Sequence, residues 1–121
     1  MRFLLMHRMD ESLPEAWNPS PEFIETMGAF IQESVEKGIL ITAEGVHKSE
    51  KGAMVRKKSN GEKSAVDGPF TEAKEVIGGF ALINAADRAQ AVAYAEEYAA
   101  LFSEIEVEVR QVVEFEDFQQ G

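Results

Sequence analysis

Two segments of this sequence, Phe3-Leu4-Leu5-Met6 and Ile39-Leu40-Ile41, are apolar at consecutive positions. Side chains alternate between the faces of a strand, so a strand built from either segment is apolar on both faces. The strand Ile105-Glu106-Val107-Glu108-Val109-Arg110 differs, alternating cleanly between an apolar and a charged face. A sheet made from such strands needs cover on one side, and on the other side it needs more than water over its inner strands.

The cover comes from two helices. Ser20 is a suitable N-cap, Pro21 suits the first helical position, and Glu22 suits the positive end of the helix dipole. Phe23, Met27, Phe30, Ile31 and Val35 then form one stripe, and Gly38 stands where a helix is closed by a left-handed residue. A second helix starts at Asp87 with Gln90 three residues on. Its expected buried face is Val92, Ala95, Tyr98, Ala99 and Phe102.

Between the helices, Ala53 to Lys57 and Lys63 to Val66 are the arms of a hairpin around Ser59-Asn60-Gly61. One short helical turn is expected over Thr71 to Glu75. Gly78-Gly79 then releases the chain into a strand at Phe80-Ala81-Leu82-Ile83. The order is β-α-β, hairpin, β-α-β: an α+β, ferredoxin-like single domain over residues 1–121 with an inserted hairpin. Helices on one face only leave the second apolar face to a partner, and a symmetric homodimer with facing sheets is the simplest solution. The alternative is that the hairpin, or the Pro-rich segment Asp10 to Pro21, folds over it.

Charge and composition exclude several functions. With 22 acidic and 12 basic residues the net charge is −10, which argues against nucleic-acid binding. The basic cluster Arg56-Lys57-Lys58, with Lys48, Lys51 and Lys63 close by, reads as a solvated hairpin edge or as an anion or partner patch. There is no cysteine, so thiolate chemistry, disulfides and cysteine-held metals are out. The first apolar run is too short for a membrane span, and a cytoplasmic, membrane-free protein is expected. No metal-ligand spacing, phosphate loop or nucleophile elbow is present, so the sequence calls for no metal and no cofactor.

Residues 67 to 80 read Asp-Gly-Pro-Phe-Thr-Glu-Ala-Lys-Glu-Val-Ile-Gly-Gly-Phe. This stretch closely resembles the signature of the DGPF group within the YCII-related family. The aliphatic N-terminal strand, Gly38 before an apolar strand and Glu44-Gly45 after it are similar to that group as well. The resemblance covers almost the whole chain. It implies a ferredoxin-like subunit of a dimeric α/β barrel, usually bacterial, with a cleft beside the sheet. Most members are uncharacterised, and some occur beside or fused to extracytoplasmic-function sigma factors. A few wider relatives are lyases or dehydrochlorinases acting on small ring-derived acids, and rely on a histidine near the start of the first helix paired with an aspartate. Here that position reads Pro21-Glu22-Phe23-Ile24, with no histidine.

Within the motif, Gly68 and Pro69 make a sharp turn, Phe70 plugs the core, and Asp67 either caps the following turn or serves as a general base in a partly apolar cleft. Glu44 or Glu75 is then the second carboxylate, and Lys74 the anchor for an anionic substrate. His7, expected at the end of the first strand, and His47, in a loop, are the natural acid–base candidates at neutral pH. Trp17, in the Pro-rich segment, is either a packing anchor or part of a ligand lid. Three functions follow: a dimeric module that binds a small organic acid, with a stress or sigma-factor pathway as the context the resemblance implies; a lyase- or isomerase-type enzyme using Asp67 with His7 or His47; or an interaction domain docking through the basic hairpin.

Overall fold

A computed structural model describes residues 1–13, 18–71, 73 and 75–119. Strand β1 (Arg2–Met9) leads to helix α1 (Pro21–Glu36) and strand β2 (Leu40–Gly45), then to a short 3-10 turn (Ser49–Lys51). The hairpin β3 (Ala53–Lys57) and β4 (Lys63–Asp67) follows, then β5 (Val76–Asn84), α2 (Arg88–Ala99), β6 (Glu106–Gln111) and a last 3-10 segment (Phe115–Gln119). The fold is α+β. Four strands form one antiparallel sheet in the order β2-β5-β1-β6, and β3 and β4 form a separate two-stranded sheet. No helix among the described residues is long and apolar enough to cross a membrane.

The local signals act as expected at the element ends. The Ser20 hydroxyl accepts from the Phe23 amide at 3.1 Å, and the Asp87 carboxylate from the Gln90 amide at 2.8 Å. Gly38 (φ 73°) follows α1 in the left-handed region. Gly61 (φ 94°) does the same in the β3–β4 turn, where the Asn60 side chain accepts from the Glu62 amide.

The core lies between the sheet and the helices. Phe3, Leu5, Leu40 and Ile83 are buried on the sheet side, and Ala91, Tyr94 and Ala95 on α2. The Tyr94 hydroxyl donates to Ser34 Oγ at 2.9 Å. Ser34, buried on α1, donates in turn to the Phe30 carbonyl at 2.8 Å. Two expected helix faces are therefore corrected. On α2 the stripe is Ala91, Tyr94, Ala95 and Tyr98, while Val92 is exposed. On α1, Val35 is 56 % exposed and Ser34 takes the inward place, because a tyrosine across the interface satisfies its hydroxyl.

The sheet's second face carries Leu4 and Met6 of β1 opposite Leu82 and Phe80 of β5. The charged row on β6 pairs with β1 in register, Arg110 with Leu4, Glu108 with Met6 and Glu106 with Arg8. Glu108 is bonded by Arg8 at 2.7 Å and by Arg110 at 3.1 Å, and the two guanidinium groups hold its carboxyl below the usual range.

Candidate functional site

Helix α1 stands off the sheet enough to leave an open cavity of about 690 Å³ between the two layers. Phe23, Met27 and Phe30 of α1 and Tyr94, Tyr98 and Phe102 from the α2 side form its walls; Leu5, His7 and Ala81 belong to its sheet floor. Its mouth includes Glu44, His47, Lys48, Glu50 and Lys51. The walls are an aromatic cluster: Phe23 and Phe102 rings lie 4.9 Å apart, Tyr98 and Phe102 5.2 Å, and Phe30 and Tyr94 5.4 Å. The volume is in the range of small-molecule sites, and the walls are mostly apolar with few polar groups, as such sites are.

The polar centre of the floor is His7. It does not end the first strand, as its sequence context suggested, but sits inside β1, which runs on to Met9. Its Nδ1 lies 2.6 Å from the Tyr98 hydroxyl, and the two rings are near parallel, 5.9 Å between centroids. Burial pushes the imidazole below its ordinary value, while a hydrogen bond with the Gly78 backbone favours the charged ring and only partly offsets this. Burial also pushes the Tyr98 phenol up to about 12. Both groups are neutral at pH 7. We assign the ring N–H to the Gly78 side, which leaves Nδ1 to accept from the Tyr98 hydroxyl.

Gly78 and Gly79 make this placement possible. They lie inside β5, not ahead of it, where the β1–β5 register shifts between His7 and Arg8. A Cβ on Gly78 would stand 2.8 Å from His7 Nε2, and one on Gly79 2.8 Å from His7 Cε1. Two adjacent side-chain-free positions thus seat the ring. Sequence reasoning took the pair as a break before a strand and missed both this seat and Tyr98; a Gly-Gly pair within an apolar stretch was the available signal.

His7, His47 and Glu44 are brought to one cavity, the first at its floor and the others exposed at its mouth. Asp67 and Glu75 are not. Asp67 is exposed at the end of β4, paired in register with Ala53, and Glu75 is half-buried in the bend before β5. Trp17 and Lys74 lie outside the described residues.

The Asp67-Gly68-Pro69-Phe70 motif is a junction. A Cβ on Gly68 would overlap the Ser49 carbonyl, and the Gly68 amide donates to the Gly52 carbonyl at 2.9 Å. The Gly68-Pro69 bond is cis. The Phe70 amide donates to Ser49 Oγ at 2.8 Å. Ser49 in turn donates from its amide and hydroxyl to the Glu11 carboxylate, which holds that carboxyl below its usual range. Phe70 is half-buried beside Gly52. The expected helical turn is absent among its described residues: Thr71, Ala73 and Glu75 are turn, coil and bend, closed by a bond from the Ala73 amide to the Phe70 carbonyl.

Among the described residues no three His, Asp or Glu side chains are grouped to hold a metal ion. A search of curated proteins returns no match. The family model described as the YCII-related domain matches residues 1–116, nearly the whole chain, and the protein belongs to that family.

Proposed function

We propose that this protein binds a small organic acid with an apolar, ring-sized body in the cavity between α1, α2 and the sheet. The observation that carries this reading is a preformed, aromatic-walled cavity of about 690 Å³ with a neutral His7–Tyr98 pair in its lining and Lys48, Lys51 and His47 at its mouth. Asp67 plays no part in it, since its carboxylate is exposed on the separate hairpin sheet.

The same reading takes the domain as a ferredoxin-like member of the DGPF group that pairs with a second copy. The strand order β2-β5-β1-β6 with both helices on one side supports the first part. The second rests on Leu4, Met6, Phe80 and Leu82 sharing the other face, beside a charged row of both signs that a two-fold axis can match to itself.

A melting screen against aromatic carboxylates tests the binding reading. A ligand that binds only the folded state raises the melting temperature by mass action, by an increment that grows with its concentration. No upward shift with any acid at millimolar concentration rejects it. Light scattering tests the pairing: twice the chain mass is expected at micromolar concentration, and a monomer rejects it.

A further inference from the structure

We infer that His7 and Tyr98 receive the acid group of the cavity's ligand, and that binding brings one proton into the site, so that an imidazolium balances the bound carboxylate through the tyrosine hydroxyl. This rests on the reading of the cavity as an organic-acid site.

The geometry leaves few other places for the charge. At the floor, the elements packed around His7 offer no ionised partner among the described residues. β5 contributes the backbone of Gly78 and Gly79, β6 places Val107 opposite in register, and α1 brings Phe23 and Phe30. α2 brings the neutral Tyr98 and Tyr94, with Phe102 just beyond its end; burial also pushes the Tyr94 phenol up, and its hydroxyl is taken by Ser34. The charged residues Glu44, Lys48, Glu50 and Lys51, and the titratable His47, all stand at the mouth, where the two glutamates offset the two lysines. A carboxylate that enters head-first therefore meets one hydrogen-bonding pair in an apolar surround. There an unbalanced anion is costly, and an opposite charge within a few ångströms strongly favoured.

The pair can supply that charge without moving. In the tautomer assigned above, the Tyr98 hydroxyl donates to Nδ1 across 2.6 Å. When Nδ1 takes a proton from solvent, the same hydrogen bond reverses: Nδ1–H donates to the tyrosine oxygen, and the tyrosine hydrogen turns to the ligand's carboxylate. The other ring N–H stays on the Gly78 side. One N–H bond forms, the proton comes from water, the tyrosine keeps its own hydrogen, and the ligand is unchanged. Burial holds His7 neutral until the anion arrives, so the charge appears only with the ligand.

Calorimetry with 2-naphthylacetate, and with the neutral 2-naphthylacetamide as control, tests this at pH 7.5 in buffers of different ionisation enthalpy. The acid is expected to take up close to one proton per molecule bound and the amide none. Affinity for the acid then falls with rising pH towards a limit of about tenfold per unit. His7→Gln abolishes the proton uptake, and Tyr98→Phe removes the preference for acid over amide. Acid binding without proton uptake, or uptake unchanged in His7→Gln, overturns the inference while the binding reading stands. So does a loss of affinity in Lys48→Ala or Lys51→Ala that His7→Gln does not share. If neither acid nor amide binds at any pH, the inference and the cavity reading fall together.

Discussion

The Nδ1 atom of His7 and the hydroxyl of Tyr98, 91 residues apart in sequence, are joined by a 2.6 Å hydrogen bond across the sheet–helix interface. It ties the central strand to α2 at the cavity and fixes the polar centre of an otherwise apolar site.

The burial of His7 beside that bond makes stability depend on pH. Burial sets the folded pKa of His7 below its unfolded value of about 6.5. Between the two values the unfolded chain holds more protons, so stability is complete above about pH 6.5 and is lost as pH falls towards the folded pKa. Denaturant midpoints between pH 5 and 8 are expected to drop on the acidic side in the natural chain and to flatten in His7→Gln. Equal slopes would mean that His7 is not the group responsible. Glu11, Glu108 and Glu114, whose carboxyls are lowered by hydrogen bonds, add their own loss only below about pH 4.5.

Gly78→Ala is expected to unseat the imidazole. The added Cβ would overlap Met9 Sδ and stand 2.8 Å from His7 Nε2, closer than real contacts allow, so the Met9 thioether must give way and the ring or the strand must shift as well. Overpacking of this kind costs roughly 1–3 kcal/mol. The measurements are a denaturation curve and the His7 ring resonances, which should lose the signature of a hydrogen-bonded Nδ1. An unchanged midpoint and unchanged resonances would refute the seat.

Gly68→Ala and Asp67→Ala should separate sharply although they are neighbours. The first forces a Cβ into the Ser49 carbonyl, and a cost of roughly 1–3 kcal/mol or more is expected. The second alters an exposed residue at a strand end and should stay within about 0.5 kcal/mol. Asp67→Asn should also leave ligand affinity unchanged. Comparable destabilisation by both alanine variants would contradict the junction reading of the motif.

Ser34 and Tyr94 should be energetically coupled. Ser34→Ala leaves the buried tyrosine hydroxyl without its partner, at about 1–3 kcal/mol, and Tyr94→Phe removes the same hydrogen bond from the other side. The double variant is expected to cost clearly less than the sum of the two. Strict additivity in a double-mutant cycle would show that the bond contributes nothing.

The elements with local chemical signals were the legible ones. Ser20, Asp87, Gly38 and the Asn60-Gly61 turn act within a few residues of themselves, and each works where it was expected. The inward face of α2 was only partly legible: Ala95 and Tyr98 were expected there, Ala91 and Tyr94 were not. Ala89, Ala91, Ala93, Ala95 and Ala99 spread small apolar residues around the helix, so periodicity does not choose a side; the Tyr94–Ser34 bond across the interface does. The site was half legible. His7 and His47 stood out by residue type, but Tyr98 read as core, and Gly78-Gly79 as a break. Their role exists only once β5 lies against β1. Asp67 drew attention through the motif, whose packing purpose is carried by its neighbour Gly68.

The central claim is that the cavity between the helices and the sheet binds a small organic acid, and amide shift mapping with 2-naphthylacetate tests it most directly. The account predicts that perturbations concentrate at Leu5, His7, Ala43, Gly78 and Ala81, with little change along the β3–β4 hairpin. Perturbations confined to the basic hairpin around Arg56-Lys57-Lys58, or none at millimolar ligand, would contradict it.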